Sequence, residues 1–480
     1  MTLLRRLARF PASLSATLVA CGFLFAQAQA PLPQGQVVAK VPCRADPAQS
    51  YALYLPSNYG PEKLWPILYA FDPGARGNVP VEDFKGAAEE YGYIVVGSNN
   101  SRNGPWEVNL AAAQAMWEDT HERFALDAGR VYMTGFSGGA RVACGLARVL
   151  RGHVAGVIAC GAGFPIGPGA GPAKDTPFIF FGTVGIRDFN FTELKELDKT
   201  LDGLGLVHRI EVFAGGHDWA PSALAREAIG WMEIQAMKRG KRERDKALID
   251  KLYEERAGEA RKLTEAGDLA RAFHRYQAVA DEFDGLRDVS AVRKLLLQMQ
   301  DSKELNDALK REIKGENRIA ALESEYLSAF YELMNALRTA DGGPAEIYQM
   351  VQQLQLPERR EQAAAKKETE ESIAAERFVR RVLVHTFEQA RDALAKKDFR
   401  SATLYLQIAA ECAPDSPYIY YTLARAYALN KENKNALAAL REAVEKGYAD
   451  LDAMEKNADF ESLRSLPGYA KLIEQLKKAP

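Results

Sequence analysis

Between residues 65 and 216 the chain repeats one pattern: a short apolar run halts at Gly, Asp or Pro, and a helical stretch follows. The runs are "WPILYAF" (65–71), "YIVVGS" (93–98), "RVYMTG" (130–135), "VAGVIACG" (154–161), "TPFIFFG" (176–182) and "HRIEVFAGG" (208–216). They are apolar at successive residues rather than alternate ones, so they need cover on both faces, as strands inside a parallel sheet do. The segments between them, 81–91, 109–124, 139–150, 191–203 and 221–237, read as helices. Parallel strands need crossover connections, so this alternation predicts an α/β fold: a mostly parallel sheet with helices on both faces. Ahead of the series, "QVVAKVPC" and "SYALYLPS" read as an antiparallel opening hairpin.

After about residue 238 the strand signal ends, which predicts an all-α second part. "KRGKRERDKALIDKLYEERAGEARKL" is a solvated, charge-balanced helical stretch in which Glu243 and Asp245 offset part of the basic run from Lys238 to Lys246. Ile319, Leu322, Tyr326, Phe330, Leu333 and Leu337 step by three and four, one apolar helix stripe suited to a core or a helix–helix seam. "DGGP" (341–344) breaks the chain there. Further on, Phe399, Ala402, Leu406 and Ala409 recur 34 residues later as Asn433, Ala436, Leu440 and Ala443. Small residues let two helices approach and larger ones fill the gap, and this spacing resembles the tetratricopeptide repeat. Gly267, Asp268, Ala272, Tyr276 and Ala280 match the same pattern earlier, out of phase with the later pair. The expected organisation is an export segment over 1–30, a sheet domain over 36–237, a helical linker with first repeat-like helices over 238–380, and tetratricopeptide-like repeats with capping helices over 381–480.

The chemistry centres on "RVYMTGFSGGARVACGLARVL" (130–150), where G-F-S-G-G joins a strand to a helix and fits G-x-S-x-G. A strand that reverses at once into a helix strains the backbone at Ser137, and glycines two residues before and after remove side chains that would collide. The hydroxyl then stands at the carboxyl end of the sheet, with the Gly138 N–H beside it near the helix start. A serine needs a base to become a nucleophile. Of six histidines, His217 alone follows the last strand and precedes a helix; His121, His153, His208, His274 and His385 fall elsewhere in the order or in the helical part. An acid between the two is expected to fix the imidazole. Asp188 follows the strand ending at Gly182, whereas Asp175 precedes that strand and Glu193 lies in the next helix.

On "LDAGRVYMTGFSGGA", "GTVGIRDFN" and "GGHDW", residues 36–237 resemble a compact α/β-hydrolase, similar to the secreted esterases that include polyhydroxybutyrate depolymerases and feruloyl esterases. The resemblance implies hydrolysis of a carboxylic ester through an acyl-enzyme on Ser137, with Asp188 and His217 completing the triad. It also implies a second oxyanion donor beside Gly138, from "FDPGARG" (71–77). Pro73 has no N–H to give, so Phe71, Asp72 and Gly74 are the candidates there. The stretch between Ser137 and the strand at 176 is too short for an inserted lid, so the site is expected to be open. Trp106 and Trp219 are candidates for its substrate-facing walls, with ordinary packing as the alternative. No phosphate-binding, dinucleotide-binding or paired-cysteine metal motif occurs, so neither cofactor nor metal is expected.

The first residues read as an address. Arg5, Arg6 and Arg9 precede an apolar stretch from Leu14 to Phe25 and the small-residue segment "AQAQA", which predicts export with cleavage after Ala28. "LVAC" (18–21) offers a competing lipoprotein reading in which Cys21 carries lipid, and an uncleaved anchor is the third. The expected location is periplasmic or secreted, with membrane attachment only through Cys21. The 62 basic and 64 acidic residues leave a formal charge of −2, which gives no footprint for nucleic acid. Cys43, Cys144, Cys160 and Cys412 are scattered, and those in apolar stretches are expected as buried thiols. The expected partners are an ester substrate, small or polymeric, and a protein docked on the repeats. A non-catalytic scaffold and a serine peptidase stay open beside the esterase.

Overall fold

The computed structural model describes residues 32–339 and 344–478; the export segment, Cys21 and most of the "DGGP" break lie outside the described residues. Eight strands form one sheet: β1 (Val37–Pro42), β2 (Ser50–Tyr54), β3 (Trp65–Phe71), β4 (Ile94–Ser98), β5 (Leu126–Phe136), β6 (Gly156–Cys160), β7 (Ile179–Gly185) and β8 (His208–Phe213). Their order is β1-β2-β4-β3-β5-β6-β7-β8. The opening hairpin is antiparallel, β2 runs antiparallel to β4, and every pairing from β4 through β3 to β8 is parallel. This is the mostly parallel α/β sheet that the strand–helix alternation called for. Strand ends differ by a few residues from the apolar runs; β5 starts at Leu126, because "LDAG" extends the pairing beyond the greasy stretch.

Successive strand residues go to opposite faces. Ile67, Tyr69, Val131, Met133 and Phe180 join one core, while Leu68, Tyr132, Phe136, Ile179 and Phe181 join the other. The first face is covered by α2 (Trp106–Arg123), α3 (Gly138–Val149) and α4 (Phe191–Gly203), and the second by α1 (Asn78–Tyr91) and α5 (Ser222–Lys238). Strands apolar all round therefore find cover on both sides.

The chain divides into two compact units, up to Glu312 and from Ile313. In the first, α5 is followed by α6 (Lys246–Glu265), α7 (Leu269–Phe283) and α8 (Ser290–Gln300). Ile234 and Met237 of α5 share a core with Ile249, Leu252, Tyr276 and Phe283, so residues 238–300 pack as part of this unit. Helix α9 (Lys303–Thr339) carries the chain across the division.

The second unit is helical: α10 (Pro344–Gln353), α11 (Leu356–Ala363), α12 (Glu370–Ala395), α13 (Phe399–Cys412), α14 (Pro417–Leu429), α15 (Asn433–Glu445), α16 (Leu451–Lys456), a 3-10 turn at Ala458–Leu463 and α17 (Pro467–Lys478). The apolar stripe of α9 packs against Ile373, Phe378 and Val382 of α12. The residues recurring at a 34-residue spacing, Ala402, Leu406 and Ala409 with Ala436, Leu440 and Ala443, are all fully buried in one further core. Asp398 and Asp268 cap α13 and α7 by accepting from the N–H groups of Ser401 and Arg271. No helix among the described residues is long and apolar enough to cross a membrane.

Candidate active site

Ser137 sits where β5 turns into α3, with φ 53° and ψ −119°, a conformation that side-chain-bearing residues adopt only when their surroundings impose it. The surroundings do so from three sides. The Ser137 N–H donates to Cys160 O at 2.8 Å. A Cβ on Gly135 would lie 2.1 Å from Gly139 O, and one on Gly139 only 1.9 Å from Phe71 O, so the turn closes only with glycine at both positions. The first hydrogen bonds of α3 run from the Ala140 and Arg141 N–H groups to Ser137 O, so the N–H groups of Gly138 and Gly139 have no acceptor within the helix.

His217 and Asp188 come from the loops after β8 and β7, the neighbouring strand ends. Asp188, fully buried, only accepts, so it holds the proton of His217 on Nδ1, at 2.8 Å from its Oδ1. His217 Nε2 is then free to accept from the Ser137 hydroxyl, also at 2.8 Å. Phe136 and Phe189 lie against the imidazole with ring centroids 4.6 and 4.1 Å away, which fixes its plane. Asp188 Oδ1 also accepts from the Asn190 N–H at 2.7 Å, and Asn190 Nδ2 donates to Gly161 O at 2.8 Å. Gly161, at φ 66°, leaves room for the pair: a Cβ there would lie 3.1 Å from Asp188 Oδ2 and 3.2 Å from His217 Cε1.

The other candidates are placed as follows. The Gly74 N–H is taken up by Asp72 Oδ1 at 2.8 Å, so it does not face the opening. Asp72 stands with its backbone against the serine turn: a Cβ on Gly139 would be 3.4 Å from Asp72 N. Backbone donors at Gly138 and Asp72 thus flank the serine, and among the described residues neither N–H has a hydrogen-bond acceptor. The Asp72 carboxylate is buried beneath. Burial works to raise its pKa, but hydrogen bonds from Arg76, Trp219 and Gly74 outweigh it and hold the group below the ordinary carboxylate range. Trp219 is buried, and its indole N–H donates to Asp72 Oδ2 at 3.0 Å; its ring packs on Phe136 and Phe84. It braces the loop from within the fold. Trp106 is partly exposed and stands against Gly145 of α3, beside Pro165.

The acids set aside in the sequence have other work: Glu193 forms a two-pronged ion pair with Arg141, and Asp175 pairs with Arg151 at the surface. His121 lies on Trp117, His208 meets Asp198 and His274 meets Glu312. Asn103, not singled out in the sequence, has its carboxamide directly against Gly138. The only hint was its place in the loop 99–109, because what it touches depends on a fold-level approach of two distant loops. Cys43, Cys144, Cys160 and Cys412 are buried and unpaired. Among the described residues no group of three or more metal-ligating side chains occurs.

No protein-family model matches the chain, and no curated protein matches it. Several solved structures do. The S-formylglutathione hydrolase FrmB from Staphylococcus aureus is 14% identical, over 38% of this chain and 90% of its own, with a TM-score of 0.31. A ferulic acid esterase is 17% identical over 42% of this chain and 98% of its own, with a TM-score of 0.35. Est1E from Butyrivibrio proteoclasticus is 12% identical over 40% of this chain and 95% of its own, with a TM-score of 0.33.

Proposed function

We propose that this chain is a serine hydrolase that cleaves carboxylic esters. The observation that carries the reading is the hydrogen-bonded series Ser137–His217–Asp188, with 2.8 Å at each step. In the proposed reaction, Ser137 Oγ adds to the ester carbonyl carbon while its proton passes to His217 Nε2. Asp188 stabilises the imidazolium that forms and keeps its ring oriented. The carbonyl oxygen takes up the π electron pair and is met by the N–H groups of Gly138 and Asp72. Collapse expels the alcohol with the proton from His217, leaving an acyl-serine that water hydrolyses by the same steps in reverse roles.

The strain at Ser137, φ 53° with ψ −119°, supports this reading over that of an idle platform, since backbone outliers of this kind gather at functional sites. We further propose that the protein acts in the periplasm or outside the cell, and that the tetratricopeptide-like helices of the second unit dock a protein partner or position a polymeric substrate.

The test is labelling with a fluorophosphonate and turnover of short-chain aryl esters and peptide amides by the full chain and its Ser137→Ala variant. Labelling and ester turnover present in the parent and absent from the variant are expected, with kcat lower by roughly 10⁴-fold or more. Equal labelling of both proteins overturns the reading, and faster amide than ester turnover replaces esterase with peptidase. Amino-terminal sequencing of the mature protein checks export: a start after Ala28 is expected.

A further inference from the structure

One side chain reaches the start of α3 from the loop after β4. Asn103 is anchored by its backbone, whose N–H donates to Pro73 O at 2.8 Å, next to the bridge between Arg102 and Gly74. Its side chain therefore starts beside the Asp72–Pro73 loop. It ends at the start of α3: a Cβ placed on Gly138 would lie 1.8 Å from Asn103 Oδ1, 2.9 Å from its Cγ and 3.4 Å from its Nδ2. At the first position of a helix, the Cα–Cβ direction and the N–H both lean toward the helix N-terminus. A carboxamide lying where that Cβ would point therefore stands against the residue whose N–H is assigned to the anion. Gly138 leaves the space for it, since any side chain there would displace the amide.

The geometry points to Asn103 as a third donor to the tetrahedral oxyanion, and so as a catalytic residue of the reaction proposed above, on which this inference rests. No proton leaves Asn103. As Ser137 Oγ bonds to carbon and its proton moves to His217, the C=O π pair settles on oxygen, and an Asn103 N–H points at that charge. A half-turn of the carboxamide about Cβ–Cγ exchanges Oδ1 and Nδ2, which brings the amino group to the place where Oδ1 meets Gly138. Such a donor adds to the two backbone groups where charge develops and binds the charged oxygen more strongly than the neutral carbonyl.

The experiment compares the full chain with Asn103→Ala and Asn103→Asp, using an aryl ester, a fluorophosphonate and an arylboronic acid, which becomes a tetrahedral anion on Ser137. In Asn103→Ala, kcat is expected to fall by about 10²- to 10³-fold with KM nearly unchanged. Boronate affinity is expected to fall with it while the melting temperature holds. Asn103→Asp keeps the shape and the backbone bond to Pro73 but sets a negative charge against the oxyanion, so it should be slower still. It also carries the test should the alanine variant not fold. Parent turnover with both variants equally fast overturns the role of Asn103 alone, as does lost kcat with unchanged boronate affinity. A parent that neither labels nor turns over overturns the esterase reading and this inference with it.

Discussion

Trp219 lies two residues beyond His217, yet its indole N–H is bound to Asp72, whose own backbone N–H flanks the serine. One side chain thus ties the loop that carries the base to the loop that carries an oxyanion donor. Trp219→Phe keeps an aromatic ring but removes the N–H, leaving Asp72 Oδ2 with Arg76 alone. The expected cost is about 1–3 kcal/mol of stability, from a buried acceptor that loses a partner. A small drift of either loop is expected to lower kcat by roughly 10- to 100-fold with little change in KM. Thermal melts and steady-state kinetics check both; unchanged kcat would mean that the two loops hold position independently. Ser137, His217 and Asp188 were legible in the sequence because each follows a strand directly, and parallel strands deliver all such residues to one end of the sheet. Trp219 and Asn103 were not legible in these roles, because their partners lie in loops that only the folded sheet brings together.

At the scale of elements, the helices after the sheet are fastened to it by buried charge as well as by apolar contact. Arg209 of β8 meets Glu227 of α5 and Glu282 of α7, and Arg275 of α7 meets Glu227 again and Glu211 of β8. Burial works to raise the Glu227 pKa, but Arg209 and Arg275 outweigh it and hold the carboxyl near about 2. Its folded pKa lies below the unfolded value of about 4.3, so its contribution is complete above that value. It is lost as pH falls through about 2. Glu227→Gln removes the carboxylate that Arg209 and Arg275 share while leaving them Glu211, Glu282 and Glu259, and is expected to cost about 1–3 kcal/mol near neutral pH. Melts taken from pH 6 downward should show a shallower loss of stability in the variant than in the parent; parallel curves would mean that Glu227 carries no such linkage. This network was invisible in the sequence, where Arg209 sits inside a strand run and Glu227 and Arg275 sit in helical stretches far along the chain. The inner strands were plain, because a strand buried on both faces is apolar at successive residues; β8, at the sheet edge, carries Arg209 and Glu211.

Across the whole molecule, the place where strands stop and the place where the first unit stops are different. The sequence changes grammar near residue 238, but the compact division falls between Glu312 and Ile313. Periodicity marks which element a residue belongs to, and only packing marks which core it joins. A chain ending at Lys238 would expose Ile234 and Met237, which are covered by Ile249, Leu252 and Phe283. Each loses about 1.5–3 kcal/mol of burial. It would also leave Arg209 and Glu227 without Glu282 and Arg275. Together these losses match the whole net stability of an ordinary domain, roughly 5–15 kcal/mol. A chain ending at Glu312 keeps those contacts and every residue of the Ser137–His217–Asp188 series. We therefore expect residues 31–312 to be soluble, to melt cooperatively and to label with a fluorophosphonate at the parent's rate, and residues 31–238 to aggregate or unfold near room temperature. Paired expression, melting and labelling of the two fragments decide it. A shorter fragment that folds and labels as well as the longer one would show that the helices from 246 to 300 are an appendage to the sheet and not part of its core.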